Sequence, residues 1–307
     1  MIEPAVIVLR LLQYLGAMVL MGSSLFFIYA LPSSADGSAA QTRWARPLLI
    51  GAAMLLAVAA LLGIAAQSSL LAGSVGEGLK GETLTAVVSS MALGKAAVAR
   101  AVFAGLAVLG LLALKPGRPA WIVAASLGVL ATASLAWMGH GGATEGALGG
   151  LHLASDILHA LAAAIWIGAL AAFFGLLTAP SAAAQPALHH ALHGFSGIGS
   201  ALVAVLVFTG LINSWILVGP DHLAGLFTMP YGQLLSVKLV LFVAMLGLAA
   251  ANRFRHTPAF GRVLAAQEPP DRALGALHRS VAYETALGLV VLGLVAAFGT
   301  LPPPAAG

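Results

Sequence analysis

Long apolar runs dominate this 307-residue sequence, and short polar or proline-rich breaks separate them. A run of about 20 apolar residues is long enough to cross the hydrocarbon core of a membrane as a helix. The pattern predicts eight such helices, over residues 5–31, 47–72, 86–114, 120–139, 151–178, 195–218, 232–252 and 281–301. We therefore expect an all-α fold: a polytopic membrane protein with eight transmembrane helices.

Composition supports the membrane assignment and narrows the chemistry. Hydrophobic residues make up 60% of the chain and charged residues 8%, whereas a soluble domain carries about 25% charged residues. The chain has no cysteine, so disulfides and thiolate metal sites are excluded. It shows no ATP-binding motif and no large soluble domain. We therefore expect neither an enzyme nor an ATP-driven pump.

The basic residues are distributed unevenly between the predicted loops. Nine of the 14 lysine and arginine residues lie in the loops 32–46, 115–119 and 253–280, whereas the opposite loops hold only Lys80. Loops rich in lysine and arginine stay in the cytoplasm. The pattern predicts that both termini lie outside and that the basic loops are cytoplasmic. The net charge of +4 reflects this bias in the loops and does not indicate binding to nucleic acid.

A line of polar residues interrupts the apolar background at the predicted outer side. His152, Asp156 and His159 follow i, i+4, i+7 spacing in the fifth predicted helix, and His140 precedes them in the loop. This spacing places the three residues on one helix face. His159 lies about 10 Å further along the helix than His152. Ionisable groups inside a membrane span usually mark a functional site.

These side chains suit a metal ion. Imidazole binds copper, zinc, iron and nickel, and without cysteine a set of histidine and methionine ligands favours copper. Our candidate ligands are His140, His152, Asp156, His159 and Met138. The spacing leaves another interpretation open, in which Asp156 bonds a neighbouring helix and the histidines pack in the bundle.

Three further residues are candidates for a pathway or for support of the site: Trp166, Arg100 and Lys238. Buried cations need partners or water, but a lysine can also extend its amine to the membrane surface, and Trp166 can be a core residue. In the last predicted helix, we expect Glu284 to pair with a cytoplasmic arginine such as Arg279.

The chain shows a faint internal similarity. Leu12, Gly22 and Phe27 of the first predicted helix match Leu158, Gly168 and Phe173 of the fifth, at a constant offset of 146 residues. We interpret residues 1–307 as a single membrane domain of two parallel four-helix halves, 1–139 and 140–307, of which the second carries the His/Asp site. Chance similarity between leucine- and alanine-rich helices remains an alternative. If the repeat is real, Gln13 takes the place of His159.

Several motifs together connect the chain to a known family. They are the His140 loop, Leu151-His152-x3-Asp156-x2-His159, Trp166-x-Gly168-x-Leu170, Phe195-Ser196, Thr209-Gly210-x-x-Asn213, Tyr231-Gly232-x-Leu234-Leu235-x-x-Lys238, Asn252-Arg253 and the final helix with Glu284. In these motifs the chain resembles the CopD copper-resistance family of bacterial inner-membrane proteins. The resemblance is strongest from His140 to Pro304.

The resemblance implies a multi-pass protein of the bacterial inner membrane that handles copper. Such proteins are thought to move copper ions from the periplasm to the cytoplasm, contributing to copper homeostasis or resistance. A periplasmic copper-binding protein of the CopC type is the partner that the family suggests, and we expect it to be a separate chain.

Two alternative functions stay open at this point. The chain can be a b-type haem redox protein, because histidines inside four-helix bundles often bind haem. Only His159 is deep in a helix, however, and Gln13 stands in the corresponding place of the first half. The chain can also be an outward copper receptor that does not transport the ion.

Overall fold

A computed structural model describes residues 2–30, 43–178 and 185–306. No strand occurs within these ranges, and eight of their helices are long and apolar enough to cross a membrane. The expectation of an all-α membrane protein with eight spanning helices is confirmed. The helices are α1 (Ile2–Ala30), α2 (Ala45–Leu71), α3 (Ala92–Ala113), α4 (Arg118–Ala133), α5 (Gly149–Thr178), α6 (Gln185–Leu217), α7 (Pro230–Ala251) and α8 (Asp271–Phe298).

Two helices begin ten residues earlier than the hydropathy pattern predicts. α6 begins at Gln185 rather than at residue 195, and α8 begins at Asp271 rather than at residue 281. Their first turns carry histidine or arginine, so the apolar run starts later than the helix. His189, His190 and His193 therefore lie on α6 and not in a loop. Most of the first predicted cytoplasmic loop, residues 31–42, lies outside the described residues.

Two predicted spans contain irregularities that hydropathy does not reveal. The third predicted span breaks at Met91, which has extended backbone between a short helix, Gly81–Ser90, and α3. Gly94 packs against the backbone of Val87 at this break, where a side chain would collide with the Val87 carbonyl group. α7 continues through a π-helical turn, Asn252–His256, into a short helical segment, Thr257–Ala265, which precedes α8.

α1 and α5 form the centre of the bundle. α1 packs against α2 and α4 on one side and against α5 and α8 on the other, while α5 also contacts α6. The remaining helices complete the two halves, with α3 beside α2 and α4, and α7 beside α8. Phe26 of α1 meets Phe173 of α5 edge to face, with ring centroids 4.8 Å apart.

The two central helices cross at a pair of glycines. A Cβ atom on Gly22 would lie 2.9 Å from the Cα atom of Gly168, and a Cβ atom on Gly168 would collide with the backbone of Gly22. The Ser23 hydroxyl donates a 2.8 Å hydrogen bond to the Gly168 carbonyl oxygen across the contact. Small residues allow such close approach of helices in membranes. Gly22 and Gly168 are also equivalent in the suggested duplication, which remains a prediction.

We expect Gly168→Ala to destabilise the protein, because the new methyl group has no space at the crossing. Overpacking of this kind costs about 1–3 kcal/mol, and the thermal unfolding midpoint in detergent should fall. Gly105→Ala is the matched control, since nothing lies within 4 Å of its added Cβ atom and alanine favours a helix over glycine by about 1 kcal/mol. Equal midpoints for both variants would contradict this view of the crossing.

Candidate metal site

The polar residues of α5 lie along one face at the end of the bundle where both termini are found. His152 is almost fully buried, whereas Asp156 and His159 are partly buried. α6 packs beside this face and brings Thr209 and Asn213 to it. Each of the three residues on α5 has its own hydrogen-bond partner from another segment.

His152 is held by the segment that precedes α5. The chain after the 3₁₀ turn Ser134–Met138 folds back, so that the Thr144 hydroxyl donates to the His140 carbonyl oxygen at 3.1 Å. The same hydroxyl oxygen lies 2.7 Å from Nδ1 of His152. Since its proton is already used, it accepts from Nδ1–H, and this network assigns the proton of the neutral ring to Nδ1. The lone pair of His152 therefore resides on Nε2.

His159 is held in the same way from α6. The Thr209 hydroxyl donates to the Val205 carbonyl oxygen at 2.6 Å, and its oxygen lies 2.9 Å from Nδ1 of His159. The network again assigns the proton to Nδ1 and leaves the Nε2 lone pair free. Within the described residues, Nε2 makes no hydrogen bond in either ring. Both histidines thus present the atom with which imidazole binds metals.

Asp156 lies between the two histidines. Asn213 donates to its Oδ1 atom at 3.4 Å, and Gly141 of the preceding loop packs so closely that a Cβ atom there would be 2.6 Å from Oδ2. Two positive charges act on this carboxylate, those of Lys238 and Arg10. Lys238 also lies over the ring of Phe298, with its Nζ atom 5.8 Å from the ring centroid.

His140 sits at the outer edge of the same region. Its ring meets the ring of Tyr231 from α7, with centroids 5.7 Å apart, and its buried Nε2 atom has no hydrogen-bond partner within the described ranges. Burial and the charge of Arg10 lower the pKa of His140 below its ordinary value, although nearby carbonyl groups act in the opposite direction. The ring is therefore neutral at pH 7 and can act as a ligand.

Arg10 was not among the residues singled out from the sequence. It is 7% exposed, and its Nε and Nη2 atoms have no partner among the described residues. Its guanidinium lies beside Gly299 and Gly139 and acts electrostatically on both His140 and Asp156. Its position inside the first long apolar run could have indicated a buried polar contact from the sequence alone.

Met138 and Arg100 belong to a different polar group. The buried guanidinium of Arg100 bonds the Gln13 side chain and donates to Ser134 Oγ at 3.0 Å. It also lies 3.7 Å from the Met138 sulfur atom. Gln13, Arg100 and Met138, together with Arg10, line a cavity of about 30 Å³ between α1, α2 and α3. The structure therefore brings His140 to the polar face of α5 but does not bring Met138 there.

The α5 residues form a line and not a single cluster. Within the described part of the chain, no group of three or more histidine, aspartate or glutamate side chains is close enough to hold one ion. The residues next in the chain, 160–165, are all apolar. Trp166 follows two turns below His159 and is buried. An ion on this face would meet the side chains one after another.

The expected pair between Glu284 and Arg279 is wrong. Glu284 is 3% exposed, and it accepts hydrogen bonds from Trp166 Nε1 at 2.7 Å and from Asn252 Nδ2 at 3.1 Å. Arg279 is exposed. A separation of five residues places the two side chains about 140° apart around the helix, so the arginine faces away from the buried carboxylate.

Comparisons with known proteins agree with the resemblance seen in the motifs. The family model for the N-terminal domain of copper resistance protein D-like proteins matches residues 1–150, and the model for copper resistance protein D matches residues 189–298. Copper resistance protein D of Pseudomonas syringae pv. tomato is 35% identical over 312 residues, which cover 98% of this chain and 97% of that relative.

Two shorter matches point the same way. Inner membrane protein YebZ of Escherichia coli K12 is 29% identical over 170 residues, 55% of each chain. Copper transport protein CutJ of Bacillus subtilis is 32% identical over 170 residues, which cover 55% of this chain and 28% of CutJ. No solved structure matches the chain. With two family models that together span most of the sequence and a relative that matches nearly all of it, the chain belongs to the copper resistance protein D family.

Proposed function

We propose that this protein imports copper ions across the bacterial inner membrane, from the periplasm to the cytoplasm, and so contributes to copper homeostasis or resistance. The observation that carries the proposal is the polar face of α5, where two histidines present free Nε2 atoms. Membership of a copper-handling family supports copper as the cargo. The termini and the His140 loop face the periplasm in this proposal, as the basic loops at the other end favour.

The charges around the line favour an ion that binds to nitrogen lone pairs. Asp156 is a single carboxylate under the influence of two cations, Lys238 and Arg10. A hard cation held mainly by negative charge would be repelled there. Copper binds well to neutral imidazole, so His140, His152 and His159 can hold it despite this field. Asp156 then offsets part of the positive charge.

The order of the residues suggests a stepwise path. His140 receives the ion at the outer edge, from a periplasmic copper-binding protein of the CopC type. The ion then passes to His152, Asp156 and His159, over about 10 Å along α5. Trp166 lies next along the same face. Arg100 supports the path only indirectly, through the polar group that it forms with Gln13 and Ser134.

One observation favours a second candidate, a copper receptor that does not transport the ion. The six residues between His159 and Trp166 are all apolar and offer no ligand. In a receptor, the ion would bind at the outer line and return to a periplasmic partner. Flux and binding must therefore be measured together.

We expect the double variant His152→Ala/His159→Ala to lose bound copper and to lose copper uptake into liposomes, since both free Nε2 ligands are gone. The matched control is His190→Ala/His193→Ala, which removes two exposed histidines near the start of α6, at the other end of the bundle. Metal content, a visible spectrum and uptake of both copper oxidation states should be recorded for each protein.

The possible results separate the candidate functions. Unchanged uptake in the His152→Ala/His159→Ala variant would contradict the proposed import path. Copper binding by the wild type without net uptake would favour the receptor. A Soret band in the wild-type spectrum would favour the haem protein.

The threonine contacts give a second, subtler prediction. Thr209→Val keeps the shape of the side chain but removes the hydroxyl that bonds Nδ1 of His159, so the ring is held only by its contact with the Leu206 backbone and Nε2 is less well oriented. Loss of such a supporting hydrogen bond typically weakens metal affinity about 10- to 100-fold. We expect a decrease of this size in equilibrium copper binding.

Thr285→Val is the matched control for Thr209→Val. The Thr285 hydroxyl also donates to the carbonyl group four residues earlier, Val281, at 2.7 Å, but it bonds no histidine among the described residues. The same copper affinity in wild type, Thr209→Val and Thr285→Val would show that Thr209 does not orient a ligand.

A further inference from the structure

A larger cavity lies between α5, α6, α7 and α8, on the side of the bundle opposite to His140. Its volume is about 210 Å³. Since a water molecule occupies about 30 Å³ in the liquid, the cavity has room for several. Its polar lining residues are Ser196, Ser200, Asn252, Arg253, Thr257, Glu284 and Trp166.

Glu284 is a buried carboxylate without a compensating charge. Its two oxygens accept hydrogen bonds from Trp166 and Asn252, and both donors are neutral. In the part of the chain that the structure describes, the carboxylate forms no ion pair with any lysine, arginine or histidine. Burial of such a charge costs several kcal/mol. Within membrane spans, acidic residues with this environment mark ion pathways or proton relays.

The charges near Glu284 do not neutralise it. Arg253 is the single other charged residue on the cavity wall, and its guanidinium bonds the Ser196 carbonyl oxygen at 3.2 Å and the Ser200 hydroxyl. The parts of α5, α6 and α7 that line the cavity contribute only apolar side chains, serine and the Trp166 indole. On α8 itself, Arg279 is exposed. Glu284 is therefore a carboxylate without an ion-pair partner among the described residues, and a cation beside it would supply the compensating charge.

Asn252 supplies a second, independent sign of a missing ligand. Its Nδ2 atom donates to Glu284 Oε2, but its Oδ1 atom is buried and has no partner among the described residues. A buried polar atom without a partner requires an explanation, such as an ion or a water molecule. The unpartnered oxygen lies on the residue that begins the π-helical turn, and such turns are frequent at functional sites.

We propose that Glu284 and Asn252 form a binding site for a small monovalent cation, a proton or an alkali ion, that enters from the basic end of the bundle. An alkali ion would bind to Glu284 Oε2 and Asn252 Oδ1. A proton would form an O–H bond at Oε2, and rotation of the Asn252 amide would turn Oδ1 into its acceptor. Trp166 keeps its bond to Oε1 in both cases.

The donor atoms distinguish this site from the line of His140, His152, Asp156 and His159, here called the histidine line. Carboxylate, amide and hydroxyl oxygens suit hard cations, whereas copper favours imidazole. About 10 Å of α5, from His159 to Trp166, separates the two sites. Binding at Glu284 does not depend on copper import. Any use of this cation to drive import does rest on the function proposed above.

Infrared difference spectra of the purified protein test the proposal directly. One arm steps the pH without alkali ions, and the other adds Na⁺ at constant pH. We expect the wild type to show the C=O band of a protonated carboxyl group in the first arm or a shifted carboxylate band in the second. Glu284→Gln should lose the responding band. Asp271→Asn, which removes an exposed carboxylate from the same helix, should retain it.

Glu284→Gln is expected to fold. After rotation of the Asn252 amide, its Oδ1 atom can accept a hydrogen bond from the N–H group of the new glutamine. Should the variant fail to fold, Trp166 gives a second readout. Its emission should respond to the same proton or Na⁺ step in the wild type, and Trp166→Phe should remove that response while keeping the infrared band.

Two results would overturn the proposed cation site. A wild type without a band or an emission response in either arm would exclude the site. A response to added copper alone would also overturn the proposal and would assign the cavity to the copper path. Absence of copper uptake by the wild type would contradict only the proposed import and would leave the infrared result valid.

Discussion

The contact between Gly22 and Gly168 sets the geometry on which the rest of the molecule depends. In a bilayer, helices gain little from burying apolar surface, so close packing of small residues becomes a main source of helix association. Here the backbones of α1 and α5 touch at their crossing, and Ser23 adds a hydrogen bond across it. Gln13 and His159 each lie nine residues before the crossing glycine of their own helix. The crossing therefore holds two polar groups at a similar height, one on each side of the bundle centre.

The buried polar side chains discussed above form three groups within the described residues, and Arg10 lies between the first two. Arg100 with Gln13 lies in the first half, the histidine line lies on α5, and Glu284 with Trp166 and Asn252 lies in the second half. Between the last two, α5 is apolar. In the hydrocarbon region each unsatisfied polar atom costs several kcal/mol. Among the described residues, the buried polar atoms without a hydrogen-bond partner include those of Arg10, His140 and Asn252, each of which lies beside one of these groups.

The sequence predicted the features that depend on local periodicity. The thickness of a membrane fixes the length of an apolar run, so all eight helices were found, and the spacing of His152, Asp156 and His159 placed them on one face. Contacts between distant segments were not predictable. Thr209 is 50 residues from His159, and Trp166 is 118 residues from Glu284. A carboxylate in a membrane helix suggested an arginine as its partner, but the bundle supplied an indole and an amide instead.

The π-helical turn after α7 changes the rotational phase of everything that follows it. One extra residue in a turn offsets the helix by about 100° relative to an uninterrupted α-helix. The segment Thr257–Ala265 thereby directs Phe260, which is fully buried, towards α6 and α8. In an uninterrupted helix the same side chain would lie about 100° away around the helix axis. The extra residue thus allows one continuous helix to pack against two surfaces that lie at different angles around its axis.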